Sequence, residues 1–125
     1  PDFATNQLVY LSLSIGDTRA NALAVFRARL DGAGLTEVRE IWRASPDKRG
    51  PVHYGGRMAW LADGTLLVAG GDGFDYREAA QDPASELGKV VRIDADGRAP
   101  ADNPLADAAG GRSKVWTLGH RNVQG

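Results

Sequence analysis

Short segments that alternate apolar and polar residues run along most of the chain, with turn-forming residues between them. This alternation is typical of β-strands. It predicts strands over 7–14, 21–30, 35–44, 58–61, 65–69, 89–93 and 114–118. We expect a turn at 1–6 and loops at 45–51, 74–88 and 98–113. The pattern therefore predicts an all-β fold.

Two local motifs predict more specific turns. Asp63-Gly64 lies between two apolar runs, and it predicts a two-residue hairpin turn because both central residues of such a turn need a positive φ. Asp82-Pro83 predicts a single helical turn through Glu86, because aspartate caps helices and proline favours their first position.

A repeat relates the two halves of the chain. Arg29-Leu30-Asp31 and Arg92-Ile93-Asp94 each end a predicted strand, and each is followed by a strand that carries a tryptophan, Trp42 or Trp116. The repeating unit has four strands and is used about twice. Four-strand units that cannot bury both faces alone are typical of β-propeller blades.

The repeat also predicts how the chain is divided. We expect residues 1–125 to form a partial β-propeller of about two four-stranded antiparallel blades. Blade 1 covers about 1–45 and lacks its inner strand, blade 2 covers about 53–118, and 119–125 begin the next blade.

Two glycine-bounded turns carry the two histidines. His53-Tyr54-Gly55-Gly56-Arg57 precedes the strand at 58–61, and Gly119-His120-Arg121-Asn122-Val123-Gln124-Gly125 follows the last strand. The first strand of a propeller blade lines the central channel, and the turn that enters it lies at one mouth. We therefore expect His53 and Arg121 to lie on one face of the molecule.

His53 is the candidate general base, because an imidazole ordinarily titrates at about pH 6.5. The alternative is a packed or exposed loop histidine without a chemical role. Arg121 and Asn122 could hold an anionic, carbonyl-rich planar ligand through charge-assisted hydrogen bonds, or they are ordinary turn residues. For Arg57 we expect a pairing with an acidic neighbour, and for His120 a supporting role in its turn.

Four acidic residues make the loop after 70 a candidate cation site: Asp72, Asp75, Glu78 and Asp82. Calcium favours such oxygen ligands. Their spacing does not match an EF-hand loop, so we expect a solvated acidic loop and predict no metal ligand in this chain.

The composition excludes several classes of function. The net charge of −1 over 125 residues gives no basic surface for nucleic acid, and no apolar run is long enough to cross a bilayer. With no cysteine, disulfides, thiolate metal sites and cysteine nucleophiles are excluded in these residues. Because the chain starts without methionine and stops within a motif, we expect it to be a piece of a longer protein.

With these residues in view, the chain resembles the soluble quinoprotein sugar dehydrogenases of the glucose/sorbosone dehydrogenase family. The resemblance rests on an ordered set of motifs: Pro1 to Tyr10, His53 to Arg57, Ala80-Gln81-Asp82, Leu87 to Ile93, Asp102 to Leu105 and Gly119 to Gly125. It implies a six-bladed β-propeller that binds pyrroloquinoline quinone (PQQ) and Ca²⁺, with the calcium ligands outside these residues. It also implies an aldose substrate, an external electron acceptor and a periplasmic or secreted location.

The resemblance also implies roles for three residues. His53 matches the base that takes the proton of the anomeric hydroxyl while hydride passes to the quinone. Arg121 matches the arginine that stabilises the oxyanion developing on the quinone, and Asn122 matches a second cofactor contact. Val52 stands where glucose-oxidising members carry aspartate, which favours the broader aldose branch, and Val123 replaces a usual proline.

The competing hypothesis is a non-enzymatic propeller that binds a sugar or a protein partner at the same channel mouth. We expect residues 1–125 alone to be inactive, because two blades cannot enclose the cofactor.

Overall fold

The computed structural model describes residues 2–105 and 113–125. Within these residues, two short helices accompany seven strands. Their bounds are α1 Phe3–Asn6, β1 Leu8–Gly16, β2 Asn21–Asp31, β3 Gly34–Arg43, β4 Gly55–Trp60, β5 Leu66–Gly70, a 3₁₀ turn Glu78–Ala80, β6 Lys89–Ile93 and β7 Val115–Leu118. The prediction of an all-β fold with strands in these seven places is confirmed. Part of the predicted loop at 98–113 lies outside the described residues.

The strands form two antiparallel sheets. One has the order β1-β2-β3 and the other the order β4-β5-β6-β7. Within each sheet, strands that are consecutive in sequence pair with each other, as sequential strands commonly do. The predicted repeat is visible in the two sheets. Strands β1, β2 and β3 pair in the same order and with the same antiparallel orientation as strands β5, β6 and β7. Strand β4 is the additional strand of the second sheet, and the His53 turn enters it.

The two sheets share one hydrophobic core. Both contribute buried side chains to it: Leu23, Val25, Trp42 and Ala44 from the first sheet and its edge, and Leu66, Val68, Val91 and Ile93 from the second. Tyr10 of β1 and Trp60 of β4 extend the contact, with ring centroids 4.9 Å apart in an edge-to-face arrangement. The Ser12 hydroxyl also donates to the Gly56 carbonyl oxygen at 2.7 Å. The core therefore holds the sheets in one arrangement.

The predicted two-residue hairpin at Asp63-Gly64 is wrong. Only Gly64 has a positive φ, at 82°, and the Leu61 amide already donates to the Thr65 carbonyl oxygen at 2.9 Å. The turn therefore has three residues, a common hairpin type with glycine in the left-handed region. The Asp63 carboxylate accepts from the Thr65 amide at 2.9 Å and closes the turn.

A turn was expected at 1–6, and residues Phe3–Asn6 form one helical turn there. One further local prediction is wrong. The helical turn expected at Asp82-Pro83 instead lies at Glu78–Ala80. Asp82 does cap locally, since its carboxylate accepts from the Ala84 amide at 2.9 Å, but this makes a turn and no helix.

Candidate active site

The end of β5 lies between the two glycine-bounded turns. The Gly71 amide donates to the Tyr54 carbonyl oxygen at 2.9 Å, and the Asp72 amide donates to the Arg121 carbonyl oxygen at 2.8 Å. A Cβ at Gly71 would lie 2.0 Å from the His53 carbonyl oxygen. Because only glycine permits this approach, the sequence allows three separate segments to meet at one point.

A second contact holds the turn that carries Arg121. Gly88 donates its amide to the Gly71 carbonyl oxygen at 2.9 Å and accepts from the His120 amide at 3.0 Å. The fully buried Lys89 stabilises the adjoining loop. Its ammonium donates to the carbonyl oxygens of Ala79, Ala80 and Leu87 at 2.7, 2.9 and 2.8 Å. The position of the turn thus depends on a loop that a buried lysine keeps ordered.

His53 forms a hydrogen-bonded pair with Asp72. The distance from Nδ1 to the Asp72 carboxylate is 2.8 Å, and the side chains are 17 % and 4 % exposed. An ionised carboxylate can only accept, so Nδ1 carries the proton and Nε2 of the neutral ring is the free acceptor. The backbone of His53 has a φ of 55°, which is uncommon outside glycine. This arrangement gives the imidazole the tautomer that a general base requires.

The surroundings of Asp72 keep it ionised. Burial by itself would raise the pKa of this carboxyl group, but the hydrogen bonds from His53 and from the Phe74 amide and the charge of Arg121 outweigh burial and lower it. The Phe74 amide donates to the same carboxylate oxygen as His53, at 2.8 Å. Asp72 is only 3 % exposed, so the prediction that it belongs to a solvated acidic loop is wrong.

Contacts of Tyr54 with Asn21 and Lys48 support the turn that carries His53. The Tyr54 hydroxyl donates to the Asn21 side-chain oxygen at 2.9 Å. The Lys48 ammonium lies 3.7 Å from the centre of the Tyr54 ring and donates to the Gly50 carbonyl oxygen at 2.8 Å. Burial lowers the pKa of Lys48. These contacts fix the residue next to His53.

Arg121 and His53 lie beside the same aromatic side chain. The Phe74 ring contacts both: its centroid is 5.2 Å from that of the His53 ring and 5.4 Å from the Arg121 guanidinium carbon. Within residues 2–105 and 113–125 the Arg121 guanidinium makes no ion pair with a carboxylate. The imidazole and a cation without a paired acid therefore meet at one place.

The other predicted residues of the two turns lie nearby with different partners. The exposed Asn122 accepts a hydrogen bond from the Gln124 side chain at 2.8 Å. Arg57 donates from Nε to the Gln124 carbonyl oxygen at 2.7 Å, and the acidic partner expected for it is not found among residues 2–105 and 113–125. His120 lies 2.7 Å from the Thr117 hydroxyl through Nε2, which agrees with a supporting role in the turn.

From the sequence, Asp72 was named only as part of a candidate cation loop and was not connected with His53, and Phe74 was not singled out. The glycine pair before Asp72 indicates a close backbone approach. That signal could have shown that an acidic residue lies beside another segment of the chain, although it does not identify the segment. For Phe74 the sequence contains no comparable signal.

The part of the chain that the structure describes contains no group of three histidine, aspartate or glutamate residues placed to hold a metal ion. It likewise contains no helix that is both long enough and apolar enough to span a membrane.

Comparison with known proteins identifies the family of the chain and supports its fold. The model of the glucose/sorbosone dehydrogenase family matches residues 1–125. The chain is 37 % identical over 128 residues to the aldose sugar dehydrogenase YliI of Escherichia coli, covering 100 % of this chain and 34 % of that protein. A solved structure described as glucose dehydrogenase is similar with a TM-score of 0.90 at 38 % identity, covering 98 % of this chain and 36 % of that one.

A third similarity concerns a structure with bound cofactor. The PQQ-bound form of an aldose sugar dehydrogenase from Streptomyces coelicolor has a TM-score of 0.73 at 29 % identity, covering 98 % of this chain and 34 % of that chain. The chain spans about a third of the length of the curated relatives that it matches.

The fold and a family match over residues 1–125 place the chain among proteins of the β-propeller class. The chain belongs to the glucose/sorbosone dehydrogenase family. The predicted fold class, about two antiparallel blades of a six-bladed β-propeller, is confirmed. The exact limits of the blades stay a prediction.

Proposed function

We propose that the protein to which this chain belongs oxidises the anomeric hydroxyl of aldose sugars to lactones, with PQQ as cofactor. The observation that carries the proposal is the His53–Asp72 pair beside Arg121. A buried carboxylate sets the tautomer of the imidazole so that Nε2 is the acceptor nitrogen. A guanidinium that makes no ion pair among the described residues lies beside the same aromatic ring as the imidazole. The names of the relatives support a sugar as the substrate.

The side chains of Arg121 and Asn122 fit the proposed cofactor. PQQ is planar and anionic and carries quinone oxygens, which match a guanidinium and an amide as donors. Arg121 and Asn122 would hold it, and when bound it would supply the hydride acceptor. Its other contacts and any calcium ligands would come from parts of the protein beyond these residues.

Oxidation of an aldose removes a proton from the anomeric oxygen and a hydride from the anomeric carbon. His53 accepts the proton at Nε2 while its Nδ1–H remains bonded to the ionised Asp72. The imidazolium that forms is stabilised by the carboxylate at 2.8 Å. Arg121 provides positive charge where negative charge develops. We further propose a periplasmic or secreted location, an external electron acceptor and no activity of residues 1–125 alone.

The test is His53→Asn in the full-length protein. Asparagine tolerates a positive φ, so the variant removes the base with little change to the turn. We expect turnover with aldose to fall about 10²-fold to 10⁴-fold, while PQQ still binds. The measurement is the absorbance change of the quinone on addition of sugar, with calcium and cofactor present.

The matched control is Gln7→Asn. Gln7 has a φ of 56° at the start of β1, away from the site, so this variant keeps its turnover. Unchanged turnover in His53→Asn would remove His53 from the mechanism. No quinone signal from the wild-type protein with any aldose would favour a non-enzymatic binding module.

A further inference from the structure

Phe74 combines an uncommon backbone conformation with an exposed aromatic ring. Its φ is 72°, and its side chain is 44 % exposed. A bulky residue in the left-handed region is strained, whereas glycine adopts this conformation freely. The preceding Gly73 also has a positive φ, of 68°, so glycine would suit both positions of this turn.

Burial in the core does not account for the ring. The Phe74 amide is bonded to the Asp72 carboxylate at 2.8 Å, which needs no particular side chain at this position. Strain that the packing does not explain is typical of functional positions. The reason for an aromatic side chain must therefore lie in what the ring contacts.

The ring lies at the centre of the proposed active site. Its centroid is 5.2 Å from the His53 ring centroid, in an edge-to-face contact with an interplanar angle of 71°. The guanidinium carbons of Arg121 and Arg77 lie 5.4 and 5.8 Å from the same centroid. An apolar, solvent-facing surface thus adjoins both the proposed base and the proposed cofactor-binding cation.

Sugars present two kinds of surface to a protein. Their hydroxyl groups bind polar partners, while the C–H groups on one side of a pyranose ring form an apolar patch that packs against aromatic rings. A sugar whose anomeric hydroxyl reaches Nε2 of His53 would bring its own ring next to the side chain that already contacts the imidazole.

We propose that Phe74 is a substrate-binding residue, and that the exposed part of its ring contacts the apolar C–H face of a cyclic aldose. The inference rests on the proposed function, because it takes its substrate class from that function. Phe74 takes no proton and no hydride. Its contact contributes to sugar affinity and orients the anomeric hydroxyl toward His53.

The experiment compares Phe74→Leu, Phe74→Tyr and Phe74→Gly in the full-length protein, with D-glucose as the probe. Leucine removes the ring and tyrosine keeps it. Glycine removes the ring but suits the positive φ. Relief of backbone strain should offset the larger unfolded-state entropy of glycine, so Phe74→Gly should unfold at a temperature close to that of the wild type. Phe3→Leu is the matched control, because Phe3 is 47 % exposed and lies in α1 at the opposite end of the sheet.

We expect KM for glucose to rise about fivefold to tenfold in Phe74→Leu and Phe74→Gly, with kcat within about twofold of the wild type. Calorimetric titration with glucose should give the same loss of affinity. Phe74→Tyr and Phe3→Leu should keep wild-type values in both measurements.

Two results would overturn the inference. One is an unchanged KM and glucose affinity in Phe74→Leu. The other is a fall in kcat alone, which would mean that the ring only positions His53 or Arg121. If the wild type binds glucose without oxidising it and Phe74→Leu loses that binding, the proposed oxidation fails and the inference about Phe74 stands.

Discussion

His53 and Asp72 act as one unit, because each is held by the backbone of a different segment and their side chains meet at 2.8 Å. The Asp72 amide is bonded to the Arg121 carbonyl oxygen, so the carboxylate cannot move without disturbing the second turn. His53 was predictable from its type and its glycine-flanked position. The pairing of Asp72 was not, because the glycine pair before it indicates a close backbone approach but does not identify His53 as the partner. Asp75, in the same loop, is exposed.

Asp72→Asn in the full-length protein tests this pair. Asparagine keeps the shape of the side chain but can donate as well as accept, so it no longer selects the Nδ1–H tautomer of His53. We expect turnover to fall about 10²-fold to 10⁴-fold, with PQQ binding largely retained. Steady-state turnover with aldose is the measurement, and Asp75→Asn is the matched control.

A comparison of the wild type with Asp72→Asn also tests the lowered pKa of Asp72. The folded state binds fewer protons than the unfolded state between the lowered value and the ordinary value of 3.8. The stabilisation by Asp72 is therefore fully present above pH 3.8 and is lost as the pH falls through the lower folded value. The difference in free energy of unfolding between wild type and Asp72→Asn should shrink over that range. A difference independent of pH would contradict the lowered pKa of Asp72.

At the scale of elements, glycines allow the site to form. The end of β5 passes so close to the His53 turn that no side chain fits at Gly71, and Gly88 makes the corresponding contact with the Arg121 turn. Lys89 adds three hydrogen bonds that order the loop before β6. These residues carry no chemistry, but the distance between base and cation depends on them.

Gly71→Ala in the full-length protein should separate the two turns. The added Cβ would lie 2.0 Å from the His53 carbonyl oxygen, and backbone cannot yield as a flexible side chain would. We expect a loss of about 1–3 kcal/mol in free energy of unfolding, together with lower turnover as His53 moves.

Gly32→Ala is the control for this variant, because no atom lies within 4 Å of a Cβ built there. Denaturant unfolding of both variants is the measurement. Equal stability of Gly71→Ala and the wild type would show that the close approach of the two segments is not needed.

At the scale of the molecule, one core joins both sheets. Val25 and Trp42 from the first sheet pack with Leu66, Val68 and Ile93 from the second. Neither sheet can lose its core side chains without exposing those of the other. The two sheets therefore fold as one unit, and this unit fixes the position of the site relative to the first sheet.

Leu66→Ala tests this shared core. Leu66 is 1 % exposed, and its truncation should cost about 2–5 kcal/mol in free energy of unfolding. Leu35→Ala is the control, because Leu35 is 46 % exposed and should change stability by about 0.5 kcal/mol or less. Hydrogen exchange at Val25 in the other sheet should accelerate in Leu66→Ala. Faster exchange confined to β4–β7 would contradict a common core.

The sequence by itself determined the strands and their order, because alternation of apolar residues and the punctuation by glycine and proline act over a few residues. It also identified His53, Arg121 and Asn122 as candidates, since glycine-flanked polar turns are visible locally. It misplaced the helical turn near Asp82 and the type of hairpin at Asp63, where competing local hydrogen bonds differ little in energy.

Only the tertiary structure decided which of several acidic residues faces His53, and that Phe74 lies between the imidazole and the guanidinium. Those contacts join segments far apart in the chain, and their geometry depends on backbone approaches at Gly71 and Gly88. Local sequence preference carries no information about such distances, because they result from the packing of two sheets around one core.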